Sequence, residues 1–186
     1  MKIDSLTTLL HEELKDIYDF EKRLVRAIPK MAKAASSEEL RSALNEHLEV
    51  TKNQVQRVEQ MFDLMGVPAK AKTCAGMKGI IDEGEETIDQ DAERTLLDAA
   101  IVGAAQRVEH YEMAAYASAR MMAEQLGNSQ VANLLQETWD EEREADQKLM
   151  EIGGRLLANA PGHRPESMAR EGKPSGRHLA GGGSGT

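Results

Sequence analysis

Three carboxylates in this chain occupy positions where the spacing calls for an apolar side chain. Leu10, Leu14, Ile17, Leu24, Ile28 and Met31 recur at steps that trace one helix face, and Glu21 takes the slot between Ile17 and Leu24. Ile101, Ala104, Val108, Ala115 and Ala119 define another stripe, into which Glu112 falls. Glu109 borders that stripe, roughly 65° from its centre at ~100° per residue, and His110 points away from it. A further stripe, Val131, Leu135, Thr138, Ala145, Leu149 and Ile152, holds Glu142 near its centre and Asp146 at its edge. The stripe that includes Leu40, Leu44, Leu48, Val55, Val58 and Phe62 differs: its inward polar residues are His47, Thr51 and Gln54, while Glu46 and Glu49 face solvent.

Burying several like charges between helices costs several kcal/mol per ion unless something neutralises them. Divalent cations would do so, and oxygen plus imidazole donors suit one or two ions of iron or manganese. Alternatively, each Glu pairs with a Lys or Arg, or helix rotation carries it off the core. The metal reading takes Glu21, Glu112, Glu142 and Asp146 as ligands, with Glu109, His47 and Gln54 as auxiliaries; Tyr18 or Tyr111 near the centre is compatible with it, but each is more often a packing residue. A Gly-rich phosphate loop, a CxxC pair and a nucleophile elbow are all missing from the sequence.

The elements that must position these residues are helices. The first is expected over residues 4 to 34, bent but not ended by Pro29. Ser36 with Glu39 forms a capping box for a second, which stops at Gly66 and Pro68. Residues 66 to 91 are too long for a tight turn, and "CAGMKGIIDEGEETIDQ" predicts a short helix inside that connection. Two more helices follow over 92 to 126 and 129 to 158. The expectation is an all-α antiparallel four-helix bundle with one long crossover and a short extra helix, forming one domain over residues 1–158. Residues 159–186 read as a flexible Gly-rich tail whose closing "GGGSGT" looks like a linker.

Composition narrows the function classes. A net charge of −9 and a pI near 5.1 argue against a nucleic-acid partner, whose phosphates need clustered Lys and Arg. The single cysteine, Cys74, cannot form an internal disulfide and fits a reducing compartment. With no leader-like N-terminus and no apolar run of about 18 residues, the expectation is a soluble, unprocessed, cytoplasmic protein with no membrane contact.

The segments "LKDIYDFEKRL", "HLEVTKNQVQRVEQMF", "CAGMKGIIDEG", "AAQRVEHYEMAAY" and "EEREADQKL", in that order, resemble the ferritin-like family of bacterial stress proteins typified by YciF and YciE over residues 5 to 157. The resemblance implies the bundle above and a homodimer. The wider superfamily, with rubrerythrins and manganese catalases, builds a di-iron or di-manganese site from single Glu residues on two helices and Glu-x-x-His on the other two. By that resemblance Glu21 and Glu112 match the single-Glu helices, Glu109 an additional carboxylate, and Glu142 the Glu of the last motif. Ala145 stands where that motif has histidine, which leaves Asp146 as the nearest substitute. Thr51 and Gln54 stand at the other pair, with His47 one turn earlier as a replacement.

Three functions are compatible with these residues. One is a metal-dependent redox protein acting on oxygen or peroxide. Another is a non-enzymatic dimeric stress protein whose inward polar groups form a closed hydrogen-bond network, with a surface that meets another protein. The third, iron storage, needs a many-subunit cage, for which the resemblance gives no support.

Overall fold

The computed structural model describes residues 3–162, and five helices make up its regular structure. α1 spans Leu6–Ala34, α2 Glu38–Leu64, α3 Ala75–Ile88, α4 Arg94–Gln125 and α5 Ser129–Ala158. No strand occurs among the described residues. The tail expected over 159–186 lies, beyond Gly162, outside them.

Each boundary has a local cause. Ser5 caps α1 by accepting from Thr8 N at 3.1 Å, and the helix continues through Pro29 to Ala34. Asn128 caps α5 by accepting from Val131 N at 3.2 Å. Gly66 and Gly127, both at φ 69°, turn the chain after α2 and α4 in the left-handed region that glycine enters without steric cost.

The cap of α2 differs from the expected one. Ser37, not Ser36, accepts from Leu40 N at 3.3 Å. Ser36 is claimed by Asp98 at the start of α4, which accepts from Ser36 N at 2.8 Å, Ser36 Oγ at 2.6 Å and Ser37 N at 2.8 Å. The buried Asp98 thus ties the α1–α2 corner to α4, and the cap moves one residue along.

Cross-helix contacts fix the topology. Tyr18 pairs with Glu59, Arg57 with Glu141, Lys148 with Glu46, and Tyr116 with Glu21, so adjacent helices run antiparallel in the ring α1–α2–α5–α4. Because Asp98 meets Ser36, α4 begins at the end where α2 begins, and the segment between them must travel the length of the bundle. It does so along α1: Lys72 N bonds Lys15 O at 3.1 Å, Cys74 N bonds Asp19 at 2.9 Å, and Lys30 pairs with Glu85 at 2.5 Å. α3 therefore lies parallel to α1 and covers α1 and α4.

Leu10, Leu14 and Phe62 fill the core towards one end, and Leu40, Ile101 and Ile152 towards the other. Between them lies a polar layer.

Candidate metal centre

Four helices contribute to this layer. From α1 comes Glu21, fully buried between Ile17 and Leu24; from α4 come Glu109, Glu112 and, one turn on, Tyr116; from α5 comes Glu142; and from α2 come His47, Thr51 and Gln54. Helical periodicity is the local reason for each, since every one falls on or beside its helix's inward stripe.

Ligand atoms of His47, Glu109, Glu112 and Glu142 lie within 4.8 Å of one another. His47 Nε2 is 3.4 Å from Glu109 Oε1 and 3.5 Å from Glu142 Oε2. In this layer five buried carboxylate oxygens have no hydrogen-bond partner among the described residues: Glu21 Oε2, Glu109 Oε2, both oxygens of Glu112, and Glu142 Oε2. Gln54 Oε1 is a sixth such acceptor.

Electrostatics explains the cost of this arrangement. Burial first, then the neighbouring Glu142, raises the Glu21 carboxyl well above its ordinary value. Glu112 and Glu142 are likewise raised well above theirs, by burial first and then by the charge of Glu142 on Glu112 and of Glu109 on Glu142. Glu109 is pushed up to about 8, mainly by burial, with the charges of Asp146 and Glu21 adding to it. Without a cation, burial favours the protonated form of each of these groups.

Among the described residues no Lys or Arg forms an ion pair with Glu21, Glu109, Glu112 or Glu142, although the charge of Arg57 partly offsets the rise at Glu21. Among the described residues, the ion-pair partner of Glu109 and of Glu142 is His47. Arg57, the guanidinium nearest this layer, bonds Thr138 at 2.8 Å, Glu141 at 2.7 Å and Glu137 at 2.8 Å instead.

Other expected members stand apart from the four-group cluster. Glu21 gives one oxygen to the Tyr116 hydroxyl. Gln54 donates its amide to Glu142 and, at 3.0 Å, to Glu141 Oε2. Asp146 is not in the cluster: it accepts from Gln106 Nε2 at 3.0 Å and lies 3.3 Å from His110 Nε2, so two α4 side chains hold it at the bundle edge.

The tyrosines also differ from expectation. Tyr18 donates to Glu59 at 2.6 Å, and Tyr111 lies 3.1 Å from Cys74 Sγ. The tyrosine of the site is Tyr116, fully buried, its phenol held protonated chiefly by burial. Its position four residues after Glu112 was the available signal, because i and i+4 share a helix face.

With this geometry in hand, comparison places the chain. Residues 5–160 match the family described as Domain of unknown function (DUF892). The chain belongs to the DUF892 family. Protein YciF of Escherichia coli (strain K12) is 39% identical over 153 residues, covering 82% of this chain and 92% of YciF. The crystal structure of the E. coli stress protein YciF superposes with a TM-score of 0.82 at 36% identity, covering 85% of this chain and 100% of that one. YcfI from Rhodopseudomonas palustris gives 0.78 at 38% identity, covering 80% and 94%. A protein from Xanthomonas campestris pv. campestris, at 0.66 and 20% identity over 90% and 99%, shares the fold. This DUF892 chain is thus a YciF homologue with an antiparallel helical bundle, and none of its described helices is long and apolar enough to cross a membrane.

Proposed function

We propose that this YciF homologue binds one or two ions of iron or manganese among His47, Glu109, Glu112 and Glu142, with Glu21 alongside, and serves a stress response through redox chemistry with oxygen or peroxide. The observation that supports it is the set of five buried carboxylate oxygens of this layer without a partner, beside the His47 imidazole. Hard oxygen donors with one nitrogen fit these metals.

Each side chain has a part in that reading. Glu112 offers both oxygens, Glu109 and Glu142 one free oxygen each, and His47 its Nε2. Tyr116 fixes the orientation of Glu21, and Gln54 that of Glu142. The raised carboxyls must release protons as they become ligands, so cation binding is coupled to proton loss. Iron or manganese held there would supply the electrons for reduction of oxygen or peroxide.

A second reading is favoured by the hydrogen bonds Tyr116–Glu21 and Gln54–Glu142, which tie α4 to α1 and α2 to α5. In it the polar layer fixes helix register in a non-enzymatic stress protein. Both readings include a homodimer in the cytoplasm, which gel filtration and fractionation check.

Elemental analysis after purification without chelator and reloading separates the two. Metal approaching two equivalents per chain, lost in Glu112→Ala and kept in Glu49→Ala, supports the centre. Substoichiometric metal indifferent to Glu112→Ala rejects it.

A further inference from the structure

The buried carboxylates are closed off on most sides. Glu21, Glu112 and Glu142 are at most 1% exposed, whereas the His47 side chain keeps 13% of its surface. Solvent therefore meets the cluster at His47. It does so within a cleft of about 230 Å³ between α2 and α5, whose lining includes His47 and Glu109. A water molecule takes roughly 30 Å³ in the liquid, so the cleft has room for several.

The walls and the rim differ in chemistry. Ala43, Leu44 and Val50 on α2, with Ala145 and Leu149 on α5, offer no side-chain donor that would hold a cation part-way. At the rim stand Glu46, Glu141, Glu144 and Lys148. Glu141 is already taken by Arg57. Lys148 reaches from α5 to Glu46 on α2 at 2.5 Å, and both side chains are at least half exposed, so the pair bridges the two helices at the outer edge.

We infer that this cleft is the route by which a divalent cation reaches the buried carboxylates, with the Lys148–Glu46 pair as a charged strap at its mouth and His47 as the first ligand met inside. The inference rests on the metal reading above. Lys148 neutralises Glu46 and adds positive charge where a cation must pass, so Lys148 slows uptake. Glu46 does the reverse. Removing either residue breaks the same ion pair but shifts the rim charge in opposite directions, which a purely structural role would not register.

The test uses the full chain stripped of metal and mixed with Mn²⁺, with uptake followed in stopped flow by an indicator of free cation and final stoichiometry by elemental analysis. Lys148→Gln is expected to load about tenfold faster at low ionic strength and Glu46→Gln about tenfold slower, both differences shrinking as salt is raised. Ala145→Phe, which fills the cleft, should slow loading without changing the final stoichiometry. Equal rates in all variants would overturn the route, and Lys148→Gln and Glu46→Gln moving together would overturn the strap. A wild-type chain that binds no Mn²⁺ at equilibrium would overturn the metal reading itself, an outcome distinguished by stoichiometry and not by rate. Lys148 and Glu46 are surface residues, so these two variants carry the test even where Ala145→Phe fails to fold.

Discussion

The Tyr116 hydroxyl donates to Glu21 across the bundle, from α4 to α1, with both side chains shut away from solvent. The other Glu21 oxygen has no partner, so the tyrosine is the one hydrogen bond holding this carboxyl in place. Tyr116→Phe keeps the ring packed edge-on against Phe20 and removes only the donor. Leaving a buried acceptor unsatisfied costs roughly 1–3 kcal/mol. Metal-free Tyr116→Phe should therefore unfold at lower urea than wild type. Tyr18→Phe, whose partner Glu59 is only partly buried and can turn to water, should lose less.

The acid groups of the cluster set a pH dependence of unusual sign. Glu109 titrates at about 8 in the folded chain against an ordinary 4.5, so the folded state binds more protons between those values. A group raised in this way contributes stability that is complete below the unfolded value and is lost as pH climbs through the folded one. The metal-free protein should thus weaken from pH 5 to pH 8, by on the order of 3 kcal/mol from Glu109 alone. Glu12, which Lys15 holds below the usual range, acts in the opposite sense chiefly below this window, and His11, which burial lowers, opposes the slope within it. Urea titrations at several pH values check the slope, and Glu109→Gln should flatten it. With Mn²⁺ present the slope should reverse, because deprotonation then favours binding.

The helices and the inward Glu21, Glu112 and Glu142 were legible in sequence because each depends on a period within a single helix. What was not legible depends on a second helix. Asp98 captures Ser36 from 62 residues away, and no local motif reports this. Asp146 sits at a stripe edge, where one-helix arithmetic leaves its direction open, and Gln106 and His110 on α4 decide it. Glu109 lay off the centre of its stripe but is buried, because α4 packs against α1, α3 and α5 and so buries a wider arc than one stripe. Tyr116 was within reach of the same arithmetic through its spacing from Glu112.

Asp98 offers a stability test remote from the cluster. It is 2% exposed and accepts three hydrogen bonds from Ser36 and Ser37. Asp98→Ala removes three hydrogen bonds at a corner where Ser36 is exposed and Ser37 half-buried, and the cost should be about 1–3 kcal/mol. The melting temperature should fall while the metal stoichiometry of the folded fraction stays that of wild type. A stoichiometry that falls with it would mean that the α1–α2 corner sets the spacing of the cluster.

The final prediction separates two residues that the sequence ranked the other way, Asp146 as a ligand and His47 as an auxiliary. His47 places Nε2 within reach of Glu109 and Glu142, so His47→Ala deletes the one imidazole of the cluster. Asp146 is already bonded to Gln106 and paired with His110, and Asp146→Asn preserves its shape and its acceptor for Gln106. Losing one ligand of a site commonly weakens binding far more than losing a neighbour that only orients or charges it, for which 10- to 100-fold is typical. Calorimetric titration with Mn²⁺ should accordingly show His47→Ala weakened by more than about 100-fold and Asp146→Asn, which removes a neighbouring charge but keeps the shape, by about tenfold. The reverse ranking would place Asp146 among the ligands after all, which requires its carboxylate to leave Gln106 and swing towards Glu109 when the cation binds.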